Sequence, residues 1–265
     1  MDRFIRNFAA SGLALLIMGA GASAADDPLA HARLLYNQRQ FEDAINAAEQ
    51  ARHVPTRADA ADLIAARAYL ELYRESFTSD DLTNARDRLR RLDPQRLAPR
   101  ERIEYVVGLG ETLYFDQSYG AAAAVFDSVL QSGELTLAGS RDRVLDWWAD
   151  ALERDAKPRP DMDRRAVYQR IHDRMQEELA YQVSSTAAAY WIAAAARGHG
   201  DLQAAWDAAQ AAWVRAPLAA DKGIALRADV DALVQRAIIP DRAKSSAQPP
   251  QTFQQEWERF KDRWK

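Results

Sequence analysis

The sequence predicts an all-α protein assembled from helical hairpins stacked as an α-solenoid, and three observations predict it. Alanine makes up about one fifth of the 265 residues, and only 11 Gly and 10 Pro interrupt the chain. That is the composition of many helices with few breaks. Apolar residues recur at intervals of three and four, as the buried stripe of a helix requires. Paired helical segments of matching small-and-large pattern then recur along the chain, the mark of a repeat architecture.

Residues 1–24 read as a signal peptide rather than as structure. Arg3 and Arg6 form a basic start, Phe8 to Ala20 is a short apolar stretch, and Ala22-Ser23-Ala24 is a small-x-small cleavage site. The stretch falls short of the roughly 18–20 residues that span a bilayer. The expectation is therefore an exported chain, periplasmic or secreted, that begins at Ala25 and has no stable membrane anchor after cleavage.

The helical repeat domain is expected over residues 25–243. In the first pair, Ala32 and Leu35 precede Phe41, Ala44, Ala48 and Ala51, and Pro55 closes the second helix. The second pair places Ala66 and Tyr69 before Leu82, Ala85, Leu89 and Leu92, with a long loop expected around Glu75 to Asp81. In the third, Leu109, Gly110 and Leu113 precede Tyr119, Ala122, Phe126 and Val129. Gly110 and Ala122 are the small contact positions that let two helices approach against bulky Tyr119 and Phe126. The last clear pair has Ile192, Ala193 and Ala196, the turn Gly198 to Asp201, then Leu202, Ala205, Ala209, Ala212 and Pro217.

With Phe41, Leu82, Tyr119 and Leu202 aligned, the intervals are 41, 37 and 83 residues, so one more pair belongs in the wide gap. Val144, Leu145, Trp148 and Leu152 supply its first helix, and Val167, Ile171, Met175 and Leu179 its second. The breaker Lys157-Pro158-Arg159-Pro160 separates them, with Asp161 as the expected N-cap. Val230, Leu233 and Val234 then form a capping helix over Asp229 to Ala237 that ends near Pro240. Residues 244–250 read as a polar, proline-containing linker.

The third pair carries a Leu-Gly-x-x-large core and an Ala-x-x-x-Phe second helix, and so resembles a tetratricopeptide repeat. Val106 and Glu134 stand where that family has Trp and Pro. The resemblance implies a right-handed α-solenoid of about five hairpins with a C-terminal cap. It also implies that side chains of each first helix line a groove for an extended or helical peptide. Those positions are Arg33, Tyr36 and Asn37 in the first pair, Glu111, Tyr114 and Phe115 in the third, and Tyr190 and Arg197 in the last. Arg, Tyr and Phe in company suit protein contacts. The alternative is that Tyr114, Phe115 and Tyr190 only fill the space between neighbouring pairs. The Asn and Lys clamp that some family members use for a peptide carboxylate is not evident.

Residues 251–265 form a separate amphipathic helix. Phe253, Trp257, Phe260 and Trp264 fall four, three and four apart, on one stripe. So short a helix needs an apolar surface to be stable. That surface is the protein's own solenoid, another protein, or a membrane interface.

Several chemistries are excluded or unsupported. Without Cys there are no disulfides, thiolate nucleophiles, cysteine-metal sites or lipoprotein anchor. A formal charge of -4 gives no bulk attraction to nucleic acid, although 30 of the 35 basic residues are Arg. His31, His53, His172 and His199 sit singly, without metal-ligand spacing. Gly108-x-Gly110 lacks the rest of a phosphate loop, and no Gly-x-Ser-x-Gly elbow is present. Trp147, Trp148, Trp206 and Trp213 read as core rather than as a sugar platform. The expectation is a non-enzymatic scaffold or adaptor without metal or cofactor, binding an unidentified protein or peptide and no nucleic acid. An outer-membrane assembly factor without a lipid anchor and a secreted hydrolase on a helical scaffold are the alternatives.

Overall fold

The computed structural model describes residues 27–132, 135 and 138–265. The signal peptide read at 1–24 and Glu134 lie outside the described residues. Every regular element among the described residues is helical. No helix among them is long and apolar enough to cross a membrane. Where the sequence suggested one repeat domain over 25–243, the helices fall into two compact units, one up to Leu135 and one after it.

The first unit contains α1 (Pro28–Asn37), α2 (Phe41–Ala51), α3 (Ala58–Ser76), α4 (Ser79–Arg91), α5 (Pro99–Phe115) and α6 (Tyr119–Gln131). Asp27 caps α1 by accepting from the Leu29 amide at 3.0 Å, and Pro28 occupies the first turn, where no amide donor is needed. Each helix packs on the next, and α1, α3 and α5 stand side by side. Small residues make the close contacts: Ala32, Ala47, Ala48, Ala51, Ala61 and Ala65 pack around Ile64.

One turn geometry recurs in four short hairpins among the described residues. Arg39, Phe77 and Gln117 adopt left-handed φ values of 63°, 56° and 60°, and each sits two residues before its second helix. Gly200, with φ 101°, holds the same place before α10 (Leu202–Arg215) in the second unit. Counting from this turn, the fourth residue of the second helix is Ala44, Leu82, Ala122 or Ala205, and all four are buried. The residue nine positions before each second helix is Ala32, Leu70, Gly110 or Ala193, again buried in every case.

This register corrects the second pair. Ser79, not Leu82, is the counterpart of Phe41, and the loop expected around Glu75 to Asp81 is only Phe77 and Thr78. A left-handed residue closes a tight turn without glycine, so the usual sequence signal of a short connection was missing.

At Gly110 the packing is tight enough to require glycine. A Cβ there would lie 2.5 Å from Cε1 of Phe126, whose ring is fully buried. At Gly108 the nearest atoms would be Leu89 methyls at 3.5 and 3.6 Å, ordinary contact distances.

The second unit contains α7 (Ala138–Ala156), α8 (Asp161–Tyr181), α9 (Thr186–His199), α10, α11 (Ile224–Leu233), α12 (Ile239–Ser246) and α13 (Pro250–Arg263). The expected pair of helices in the wide gap is present as α7 and α8, with Asp161 as the first helical residue rather than the cap. Yet α8 lies mainly along α9. The Tyr168 ring fills the space where a side chain at Gly198 would stand, and its hydroxyl donates to Glu153 of α7 at 3.1 Å.

The capping helix does not stop at Pro240. Val234–Ile238 widen into a π-turn and α12 continues directly from it, with Pro240 in its first turn. A wider turn accommodates the missing amide and the bulk of the ring. Ser245 and Ser246, read as linker, remain helical and donate to the Arg242 carbonyl at 3.0 and 2.7 Å. The linker of 244–250 thus contracts to residues 247–249.

Gly110→Ala is expected to destabilise the first unit by about 1–3 kcal/mol, because the buried Phe126 ring must shift or strain. Gly108→Ala should be neutral or stabilising, since alanine favours the helix. Thermal melts of the two variants separate these outcomes, and equal melting temperatures would refute the packing argument.

Candidate binding surfaces

On the first unit, the first-helix face is a row of interlocked charges and rings. Eight, five and four residues before the second helix stand Arg33, Tyr36 and Asn37 on α1, and Glu111, Tyr114 and Phe115 on α5. The corrected register adds Glu71, Arg74 and Glu75 on α3, which the sequence reading passed over when it placed Glu75 in a loop. Arg33 pairs with Glu101 of α5, bridging over α3. The Arg67 guanidinium lies 4.4 Å from the Tyr36 ring centroid and pairs with Glu104 at 2.6 Å. Glu71 takes Arg74 at 2.6 Å and the Tyr36 hydroxyl at 3.5 Å.

The candidates divide on this face. Arg33 and Asn37 are exposed and Tyr36 is half-buried. Glu111 and Tyr114 are buried, so they belong to the packing between pairs and are not open to a ligand. Phe115 is partly buried, with its ring 4.8 Å from that of Tyr73. Arg67, Glu101 and Glu104 complete the row and were also missed. Glu101 and Glu104 lie in the first half of α5 and Arg67 at the middle of α3, whereas the spacing argument nominated positions near the hairpin turn.

Behind this row, toward the second helices, Asp62 is 4% exposed and collects arginines. Arg91 donates to it twice, at 2.9 and 2.6 Å, and Arg88 once, at 2.9 Å. Burial, aided by the charge of Arg91, pushes the Arg88 guanidinium down to about 10. This one carboxylate ties α3 and α4 to the end of α2, because Arg52, the C-cap residue of α2, also approaches Asp62, at 3.2 Å.

In the second unit Tyr190 is 2% exposed and forms part of the core, with its ring edge-on to Trp191. Arg197 reaches from α9 to Asp241 of α12 at 2.8 Å. Tyr190 is thus closed to a ligand, while Arg197 is partly exposed but engaged within its own unit. Trp147, Trp148 and Trp206 are buried, as core indoles are.

The aromatic stripe of α13 folds onto its own unit. Trp257 is fully buried, and its ring lies 5.7 Å from both Trp206 and Trp213 of α10. Phe253 and Phe260 are also buried, and Arg242 of α12 stands over the Trp206 and Phe253 rings at 4.4 and 4.8 Å. Of the surfaces open to the stripe, the structure selects the protein itself, so these three rings are not a free docking element. Trp264 differs, at 50% exposed.

Asp231 locks this packing. It accepts from Trp257 Nε1 and from Lys261 Nζ, both at 2.8 Å. Burial opposes ionisation of Asp231, but the bonds from Lys261, Trp257 and Gln235 outweigh it and lower the pKa. Burial likewise opposes the charge on Lys261, and Asp231 and Glu258 outweigh it and raise that pKa.

No group of three or more His, Cys, Asp or Glu that could hold a metal occurs among the described residues. No protein-family model, curated protein or solved structure matches the chain. The tetratricopeptide resemblance therefore rests on the spacings and hairpins of this chain alone.

Trp257→Ala is expected to cost about 3–5 kcal/mol and undock α13, read as loss of hydrogen-exchange protection over Pro250–Arg263. The Asp231 contribution is complete above its ordinary value of 3.8 and is lost as pH falls through the lowered pKa. The Lys261 contribution is complete below 10.5 and is lost as pH rises through the raised pKa. Asp231→Asn should therefore flatten the acid side of a melting-temperature profile, and an unchanged profile would count against this lock.

Proposed function

We propose that this chain is a tetratricopeptide-like α-solenoid of about five hairpins that works without catalysis, as a scaffold or adaptor in the cell envelope or secreted space. Its first-helix face holds a protein or peptide. The observation that carries this reading is the row from Arg33 to Glu104, in which three adjacent helices present arginines, carboxylates and an aromatic ring on one surface. Partly exposed ion pairs of this kind contribute little stability, about 0–1 kcal/mol each. A partner can therefore exchange them at small cost, and Arg and Tyr are the residues that interfaces favour. The recurrent left-handed turn and the shared buried positions support the repeat reading.

The test uses the chain expressed with its own N-terminal region in a bacterium with an envelope. A photo-crosslinking residue replaces Asn37 on the face, or Gln254 on the polar side of α13. The expected result is a discrete adduct from Asn37 and none from Gln254, in protein recovered from the envelope with Ala25 as its first residue. Export fails as a reading if the recovered chain keeps residues 1–24. Identical patterns from both positions would overturn the assignment of the face.

A further inference from the structure

Opposite in character to the interlocked face is the edge along which the three hairpin turns of the first unit lie. Two ion pairs link neighbouring hairpins near these turns: Arg39 with Glu75 at 3.1 Å, and Arg86 of α4 with Asp116 after α5 at 2.5 Å. In the α3–α4 turn stands Phe77, 53% exposed and held at the left-handed φ of 56°. Glycine suits that backbone position far better than a bulky aromatic residue, so folding alone does not explain the ring. Phe77 is the open end of a run of edge-to-face rings through Tyr73, Phe115, Tyr114 and Tyr119, with centroid separations of 4.8–5.9 Å.

The unpaired charge along this edge has one sign. The two ion pairs cancel internally, and Glu42, Asp43 and Asp80 are exposed carboxylates with no basic partner among the described residues. Asp81 accepts only a long bond, 3.5 Å, from Ser76, and partial burial raises its pKa. Helix N-termini attract such acids, and α2 and α4 begin here. That accounts for the carboxylates but not for an exposed aromatic ring among them.

We infer that this turn edge, centred on Phe77, docks a lysine- or arginine-bearing extended segment of another protein. A cation seated over the Phe77 face gains from the ring quadrupole, and the flanking carboxylates supply the opposite charge. The inference builds on the reading of the chain as a binding protein, but it uses a different surface from the α1–α3–α5 face.

The experiment measures binding of the full chain to a fluorescent alternating lysine–alanine dodecapeptide, with a glutamate–alanine peptide as control. The expected result is saturable binding of the basic peptide only, weakening as salt screens the edge. Phe77→Gly should lower affinity about tenfold, from the lost cation–π and apolar contact. Its melting temperature should be unchanged or higher, because glycine relieves the left-handed strain. The substitution leaves net charge unaltered, so wild-type affinity in this variant would mean diffuse attraction and would overturn the inference. Absence of binding, or self-association of the chain that Phe77→Gly abolishes, would overturn it as well. A crosslink at Asn37 without basic-peptide binding sinks the edge alone. Basic-peptide binding without that crosslink sinks the face alone.

Discussion

Close approach of helices at small residues is the constraint on which the rest of the structure depends. In three of the four short hairpins alanine or glycine stands at both facing positions, as at Ala32 and Ala44, Gly110 and Ala122, and Ala193 and Ala205, while the α3–α4 hairpin has Leu70 and Leu82 there beside Ala85. Alanine buries little apolar area, at roughly 25 cal/mol per Å², so such a seam sets distance more than it supplies energy. The larger contribution comes from side chains that cross into the gaps, such as Phe126 against Gly110 and Tyr168 against Gly198. No hairpin of this kind is self-sufficient, which is why neighbours must stack.

Charge is organised to match. The buried and half-buried carboxylates do not stand alone: Asp62 takes arginines from α4 and from the C-terminal cap of α2, Asp231 takes Trp257 and Lys261, and Glu178 takes Arg141 and Arg174. At Glu178 burial opposes ionisation, yet the bonds and charges of those two arginines outweigh it and lower the pKa. Each of these groups would be expensive to bury unpaired, so each fixes the relative position of the helices that supply its partners. A chain in which 30 of the 35 basic residues are arginine can do this, because the guanidinium serves two acceptors at once.

The two units spend their aromatic residues differently. The second unit draws most of its indoles inward, and Trp206 and Trp213 of α10 cluster with Trp257 of α13. The first unit instead lets its rings run from the core at Tyr114 out to the surface at Phe77. Aromatic surface is thus covered in one unit and left partly open in the other.

Helix type, the hairpin register of the first, third and last pairs, and the requirement for a small residue at Gly110 were legible in the sequence, because they follow from local spacing and side-chain volume. Two features misled it for a local reason: a left-handed turn made by Phe77 instead of glycine, and a helix that passes Pro240 through a π-turn. What only the tertiary structure decided is where amphipathic surfaces end up. The stripe of Phe253, Trp257 and Phe260 looked the same whether it met a partner, a membrane or its own unit, since periodicity records that a face must be covered and not by what. Likewise Glu111, Tyr114 and Tyr190 have the spacing of groove residues, but burial depends on the neighbouring helices. Those neighbours lie far away in sequence, and no local pattern encodes their distance.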